Sequence, residues 1–430
     1  MLGSGFDFDS DFSLELGEYN IARVKKFERV WKMGTGGSLT TSMVPNGGAV
    51  FFGCADHHLY SVDPATGKMN WKFRTEDVIA EGDPAISEGV VYAGSHDRNM
   101  YAVGASDGKL RWKFATADKV SSGPLVHEGV VYFGSKDRNV YALDAHKGTL
   151  LWKFETSDDI ISHPVIWKDL LLIGSYDRNL YCLEKGTGRM AWKFCTQGEI
   201  HNANQFAARD GVIYFSSFDD YLRAVDIESG ALLWKARLGQ YGCTAAPVLS
   251  GNTLYASSRN GILYAVSKEG RLLWKFVTID NIGIPLVRDG RIFVGSCDYA
   301  MYCLDLTGKK LWDFRTSGYA WWEPALIGTK LVFGSWDCLV RCIDITTKDL
   351  VWKFRTSGGP SYLPPANEAF QLELKVGGGE AEEKGGKSYQ VNFAEEGAGE
   401  GGAYKSRMTY QTSTRYREKG KYQSSDEEEF

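Results

Sequence analysis

Aspartates recur in this sequence at intervals close to forty residues, each shortly after a Gly-Ser or similar pair. They are Asp56, Asp97, Asp137, Asp177, Asp219, Asp298 and Asp337, with Asn260 in the remaining position. A ring of carboxylates could bind a metal ion or carry out acid–base chemistry. Short polar residues in turns also accept hydrogen bonds from nearby backbone N–H groups. We predict that these aspartates cap turns, and we assign neither catalytic nor metal-binding residues.

Motifs of the common catalytic classes are missing from the sequence. It contains no GxSxG, HExxH or P-loop, and no GxGxxG between a strand and a helix. The formal net charge of -5 gives no overall attraction to nucleic acid or to an anionic membrane. We therefore predict a protein that is not an enzyme and does not insert into a membrane.

A tryptophan, usually in the context WKF, marks an internal repeat. It recurs at Trp31, Trp71, Trp112, Trp152, Trp192, Trp234, Trp274, Trp312 and Trp352. Each interval contains a segment marked by proline and then three apolar segments of strand length, separated by turn residues such as those of 137–139. The pattern predicts a four-stranded antiparallel meander in each unit, with the tryptophan on its fourth strand.

A single meander of this kind has two apolar faces and needs neighbours to bury them. A closed ring of such sheets does so, which predicts an all-β fold, a β-propeller. Eight intervals predict eight blades. A ninth blade is the alternative, with its third strand at 389–393 and its fourth around Trp31, because Pro364 aligns with Pro324. In either ring the repeated tryptophans are predicted to be structural.

The repeat GSxDxxxYALDxxTGxxxWKF resembles the PQQ-like repeat, the tryptophan-docking motif of quinoprotein alcohol dehydrogenases. Good matches are 63–73, 134–154 and 174–194. The resemblance implies the propeller fold but no single function. Similar propellers occur in dehydrogenases, in an outer-membrane assembly lipoprotein and as interaction domains. Enzymatic members imply a bound quinone, calcium and an adjacent-cysteine disulfide ring. Because this sequence has no such cysteine pair, we predict that neither PQQ nor calcium is a cofactor.

The residues that lead into the innermost strands differ between units although the frame does not. They are expected to surround the mouth of the central channel. The candidate binding residues there are Glu81, Asp83, His163, His201, Asn202, Asn204, Tyr241, Tyr319, Trp321, Trp322 and Glu323. The aromatic run that ends at Glu323 could be a contact hot spot or could pack across the channel. The histidines and amides of 201–204 could line a polar pocket.

A candidate basic patch arises from three identical Asp-Arg-Asn turns. These place Arg98, Arg138 and Arg178 side by side on the predicted face that carries the links between blades. The patch could bind an acidic partner or phosphate. Acidic residues in the neighbouring links offset much of its charge, so a solvated turn is the alternative.

The sequence divides into an acidic extension at 1–27, the propeller at 28–376 and a Gly/Glu-rich linker with a Tyr/basic tail at 377–430. The tail could dock on a partner or stack on single-stranded nucleic acid. We predict a cytoplasmic scaffold that binds protein partners through the channel mouth and the tail. A small-ligand or quinone-dependent oxidoreductase and a nucleic-acid-associated protein remain alternatives.

Overall fold

The computed structural model describes residues 38–356, except 202–205, 240–241 and 244, together with three two-residue strands. The chain forms two units, 1–363 and 364–430. In the first unit, Phe6–Asp7 pairs in parallel with Leu232–Arg237. In the second, Ser388–Tyr389 pairs antiparallel with Tyr410–Gln411. Predictions that concern Trp31, Asn202, Asn204, Tyr241 and the rest of the tail lie outside the described residues.

Thirty-two strands of the first unit form eight four-stranded antiparallel blades, and Phe6–Asp7 makes the sheet of blade 5 five-stranded. Blades 1 to 8, each from first to fourth strand, are Val44–Asn46, Ala49–Cys54, His58–Val62, Met69–Arg74; Ala85–Ser87, Val90–Gly94, Asn99–Gly104, Leu110–Ala115; Leu125–His127, Val130–Gly134, Asn139–Asp144, Leu150–Glu155; Val165–Trp167, Leu170–Gly174, Asn179–Glu184, Met190–Cys195; Ala207–Arg209, Val212–Ser216, Tyr221–Asp226, Leu232–Arg237; Val248–Ser250, Thr253–Ser257, Ile262–Ser267, Leu272–Val277; Leu286–Arg288, Arg291–Ser296, Ala300–Asp305, Lys310–Arg315; and Ala325–Ile327, Lys330–Ser335, Leu339–Asp344, Leu350–Arg355. The predicted all-β fold with eight blades is confirmed.

Burial changes systematically from the axis to the rim of each blade. First strands contact each other across the channel wall between blades 2 and 3, 6 and 7, and 8 and 1. The second and third strands are almost wholly buried, because both of their faces pack against neighbouring blades. The fourth strand alternates exposed and half-buried residues, and a β-bulge interrupts its pairing with the third strand, as between Ala142 and Leu143. The core therefore lies between blades rather than within one.

Each interface between blades contains a tryptophan of the fourth strand. The Trp152 indole N–H donates to the Lys185 carbonyl of the next blade at 2.9 Å, and its ring covers Gly188. Gly188 has a φ of +72°, and a Cβ there would lie 2.5 Å from the ring, so only glycine fits without a shift. The same indole-to-carbonyl bond is made by Trp71, Trp112, Trp192, Trp234, Trp274 and Trp352.

Blade 8 closes the ring directly on blade 1. The Trp352 indole donates to the Pro64 carbonyl at 3.0 Å. Leu39, Phe52 and Tyr60 of the first blade share a core cluster with Val332 of the last. This interface leaves no gap for a further sheet, so the nine-blade alternative is wrong.

Candidate functional site

The turn aspartates use both carboxylate oxygens in internal hydrogen bonds, except Asp298, which uses only Oδ2. Asp137 accepts from the Asn139 N–H at 3.0 Å, the Tyr141 hydroxyl at 2.7 Å and the Ala117 N–H of the preceding link at 2.9 Å. In blade 5 an arginine takes the tyrosine's place, and Arg223 forms a buried ion pair with Asp219 at 2.5 Å. These contacts tie the turn between the second and third strands to the link from the previous blade. We call this side of the ring the linker face.

Arg98, Arg138 and Arg178 occupy equivalent linker-face turns of blades 2, 3 and 4. All three are exposed and have φ near +70°, which places their side chains at the same position of each turn. A Glu155 carboxylate oxygen lies 3.5 Å from the Arg138 guanidinium. The three predicted residues are therefore exposed at equivalent turns, and one of them takes part in a weak surface ion pair.

The residues two positions before each first strand form a ring at the mouth of the channel, which we call the inner ring. Among the described residues it consists, around the axis, of Ser42, Asp83, Gly123, His163, Ala246, Ile284 and Glu323. Asp83, His163 and Glu323 line a channel cavity of about 530 Å³. Three of the predicted mouth residues thus belong to one site.

Burial dominates the electrostatics of the inner ring. It raises the pKa of Glu323 to about 8, and the nearby Asp83 carboxylate contributes to the same shift. Burial also raises the pKa of Asp83 and lowers that of His163. The Ser42 N–H donates to Asp83 Oδ1 at 2.6 Å, whereas a His163 ring nitrogen lies 3.3 Å from the Glu81 carbonyl.

A second cluster surrounds Glu81, which is buried and has a φ of +68°. Its carboxylate lies 3.4 Å from the Lys136 ammonium. Burial by itself would raise the pKa of Glu81. The opposing effects of Lys136, His201, His96 and a Ser121 hydrogen bond are together larger, so the pKa of Glu81 lies below its usual value. The charge of Glu81 is thus balanced within the protein.

The aromatic run at 319–322 divides into two parts. Trp321 and Trp322 are 4% and 5% exposed and contact each other edge to face at 4.8 Å, which favours the packing alternative for both indoles. Tyr319 is half-buried between Tyr299, at 5.4 Å in a stacked arrangement, and Trp336, at 5.1 Å. Tyr299 is 41% exposed, so the partly open aromatic surface lies here rather than on the tryptophan pair.

Our sequence analysis missed a set of residues that the structure places beside the inner ring. Each directly precedes the aspartate or asparagine of a linker-face turn, and we call the set the turn ring. Its members are Ala55, His96, Lys136, Tyr176, Phe218, Arg259, Cys297 and Trp336. All eight residue types differ, although the flanking turn residues are nearly constant. Variability at this one repeat position was the signal that could have revealed the set.

The turn ring contacts the predicted mouth residues. Tyr176 and Phe218 pack against His201 at ring-centroid distances of 5.8 and 5.7 Å, and the Arg259 guanidinium lies 5.5 Å from the Phe218 ring centroid. The His96 ring nitrogen lies 3.0 Å from the Ser121 hydroxyl. Turn ring and mouth thus pack against each other. Ala55, His96 and Cys297 of the turn ring are buried, and its other five members are partly exposed.

Burial of His201 predicts a pH dependence of stability. Burial lowers the pKa of its imidazole from 6.5 to about 4, against the attraction of Glu81 and with the repulsion of Lys136, Arg259 and His163. The imidazole therefore takes up its proton near pH 6.5 in the unfolded chain, but only near pH 4 in the folded protein. Between pH 7 and pH 5 this group should remove about 2 kcal/mol of the free energy of unfolding. The variant His201→Gln should lose that much less than the wild type in urea titrations at the two pH values. Equal losses in both proteins would contradict the assignment.

The side chains that could bind a metal ion are dispersed in the described part of the chain. Within residues 38–356, apart from the gaps, no three His, Cys, Asp or Glu side chains meet as a set that could hold a metal ion. The repeated aspartates are engaged in their turns. All eight cysteines are free, and all except Cys195 are buried. In the described part of the chain no helix is both long and apolar enough to cross a membrane.

Comparison with known proteins identifies relatives of two kinds. A family model described as "Outer membrane protein assembly factor BamB" matches residues 55–163, 155–274 and 219–361. The BamB of Burkholderia pseudomallei is 27% identical over 150 residues, 34% of this chain and 36% of that protein. A tetrathionate hydrolase of Acidithiobacillus ferrooxidans is 25% identical over 160 residues, 31% of this chain and 32% of that protein. The matches thus span only about a third of these relatives.

A solved structure extends the similarity of fold. The BamB of Moraxella catarrhalis superposes with a TM-score of 0.62 at 20% identity, covering 70% of this chain and 93% of that one. The predicted resemblance to PQQ-like repeat propellers is confirmed.

The predicted cytoplasmic location was wrong. The matched family and the Burkholderia relative are outer membrane protein assembly factors, which points away from the cytoplasm. The charge and hydropathy patterns behind that prediction describe solubility in water, and several cellular compartments are aqueous. The family match runs through overlapping repeats from residue 55 to residue 361, and on this basis the chain belongs to the PQQ-like repeat propeller family described as outer membrane protein assembly factor BamB.

Proposed function

We propose that this propeller is a non-catalytic interaction module that binds a protein partner through the turn ring and mouth of its linker face. One observation carries the proposal: eight equivalent turn-ring positions hold eight different residue types, while the surrounding frame repeats. A structural requirement common to all blades would select the same residue at each position. The diversity is what recognition of an asymmetric partner requires.

The surface has the composition of a protein contact. Tyr299, Tyr319 and Trp336 form a partly exposed aromatic group on one side. Arg98, Arg138 and Arg178 form a cationic row on the rim of blades 2 to 4. Aromatic residues and arginine are enriched in the centres of protein interfaces. A partner whose apolar and acidic groups are spaced like the aromatic group and the arginine row would contact both.

The relatives support this proposal more than its rival. The family is described as an outer membrane assembly factor, which names a role with other proteins. The tetrathionate hydrolase match keeps an enzymatic role as the competing hypothesis.

The Tyr/basic tail is proposed as a second contact with the protein partner, and binding of the tail to nucleic acid is the competing role. Deleting 401–430 should weaken partner binding without altering the propeller's thermal unfolding.

Site-specific photocrosslinking in the native host tests the linker-face proposal. A photoreactive phenylalanine analogue at position 299 should give a discrete adduct with one protein, because the aromatic group lies in the contact. The same analogue at position 146 is the matched control, since His146 is exposed on the opposite face. With the partner identified, Tyr299→Ala should weaken its binding at least roughly tenfold and His146→Ala should not. Adducts only from position 146, or equal binding by the two alanine variants, would exclude the linker face as the binding surface.

A further inference from the structure

The channel cavity ends in two carboxyl groups that come from blades flanking blade 1. Asp83 of blade 2 and Glu323 of blade 8 occupy equivalent inner-ring positions and both line the cavity. They lie close enough for the Asp83 charge to oppose ionisation of Glu323. Two acids at one end of a buried channel repel each other, and folding alone gives no reason to place them there.

Ser42 lies between them at the same position of blade 1. It is 4% exposed, and its backbone N–H donates to Asp83 Oδ1 at 2.6 Å. The next N–H, that of Met43, donates to the Glu323 carbonyl at 3.1 Å. The Ser42 hydroxyl makes no hydrogen bond of regular geometry among the described residues, but it lies close enough to the Asp83 carboxyl to lower the pKa of that acid. A ligand or water could complete the hydrogen bonding of this buried hydroxyl.

The charge of this acid pair is not matched from within the protein. Among the described residues, no lysine or arginine forms an ion pair with Asp83 or Glu323. The basic group that acts on Asp83 is His163, and burial lowers the pKa of its ring below 6.5, so it is mainly neutral at pH 7. By contrast, Glu81 on the linker face has Lys136 as its counter-ion. The other charged group that faces the cavity is Arg209, on the first strand of blade 5.

The walls beside the acid pair are apolar. The cavity of about 530 Å³ is lined there by Pro84, Pro124, Pro164, Pro247, Leu125 and Phe206. Such walls suit an aliphatic stem, while the acids suit a cationic head group. A bare divalent ion would find fewer than three protein ligands among the described residues.

We propose that Ser42, Asp83, His163 and Glu323 form a binding site for an organic cation, an ammonium or guanidinium group carried on an aliphatic stem. Asp83 supplies the charge, and Glu323 supplies a second acceptor once it has lost its proton. The Ser42 hydroxyl and the His163 ring accept from the remaining N–H groups. This site lies inside the channel and does not depend on partner binding at the linker face.

Calorimetric titration of the full chain with n-butylguanidinium and n-butylammonium tests the site, with neutral n-butylurea as the isosteric comparison. Both cations should bind at pH 7 and n-butylurea should not. Binding should release protons, because Glu323 is largely protonated at pH 7 and a bound cation favours its carboxylate. The measured enthalpy should therefore differ between phosphate and HEPES buffers, which have different heats of ionisation and contain no primary ammonium group.

Three variants separate the site from general electrostatics. Asp83→Asn should weaken cation binding at least roughly tenfold. Glu323→Gln should abolish the proton release and keep weaker binding. Glu128→Gln is the control, because this carboxylate is exposed at a turn on the opposite face. Circular dichroism and thermal melts confirm that each variant is folded. Equal affinity for n-butylurea, no heat with either cation, or equal cation affinities of Asp83→Asn and Glu128→Gln would overturn the proposal.

A further titration distinguishes the natural source of the cation. A short cyclic peptide that displays one arginine represents a basic side chain of a protein partner. If the peptide binds more tightly than n-butylguanidinium and Asp83→Asn abolishes this, the site recognises a partner's side chain. If only the free cation binds, the site recognises a small molecule. Both results support the cation site. A crosslinking failure at position 299 would affect the linker-face proposal alone.

Discussion

Replacing Trp152 by alanine is expected to lower the free energy of unfolding by about 3 kcal/mol. The substitution removes a half-buried indole that packs on Tyr132 and on the turn of the next blade, and it deprives the Lys185 carbonyl of its donor. The loss should lie at the lower end of the range for large-to-small core substitutions, because the outer strand is partly exposed. Urea denaturation monitored by far-ultraviolet circular dichroism measures it.

The conservative variant Trp152→Phe separates the two contributions. It keeps an aromatic ring between the blades and loses the N–H donor, so the loss should be about 1 kcal/mol. If Trp152→Ala unfolds at the wild-type urea concentration, the interface does not depend on this residue and the role of the repeated tryptophan is misassigned.

Replacing Gly188 by alanine is expected to cost a similar amount for a different reason. The residue has a φ of +72°, which disfavours any Cβ by about 1 kcal/mol, and the added carbon would lie 2.5 Å from the Trp152 ring. Displacing the indole adds about 1–3 kcal/mol. The total loss in the free energy of unfolding should be about 3 kcal/mol, measured by the same urea titration.

Gly129→Ala is the matched control for this prediction. Gly129 has a φ of +75°, but nothing lies within 4 Å of the position of its Cβ. It should therefore show the backbone cost alone, about 1 kcal/mol. In the Trp152→Ala background the Gly188→Ala cost should fall to the same value, since the obstructing ring is gone. Equal losses for Gly188→Ala and Gly129→Ala in the wild-type background would contradict the steric explanation.

The repeat determined how much of the fold could be predicted from the sequence. Turn residues, the alternation of apolar residues and the position of each tryptophan follow local rules that apply in every blade. The blade number depended on how the last unit meets the first. That contact, between Trp352 and Pro64, joins residues far apart in the sequence, so local patterns could favour eight blades but could not exclude nine.

The site was predicted less completely because its properties depend on burial. Asp83, His163 and Glu323 were selected as variable residues near the axis, and the structure brings them to one cavity. The sequence did not distinguish the buried Trp321 and Trp322 from the partly exposed Tyr319. It also did not reveal that Lys136 lies beside Glu81, because the two belong to different blades.

The direct closure of the ring has a consequence for how such a chain can change during evolution. The four strands of each blade come from one continuous stretch of chain, and Phe6–Asp7 only adds a fifth strand at the outer edge of blade 5. All eight junctions, including that between the last and first blades, are made by side chains, turns and links rather than by shared strands. A duplication or loss of one forty-residue unit would therefore leave the four-stranded pairing of the remaining blades intact and alter the circumference of the ring.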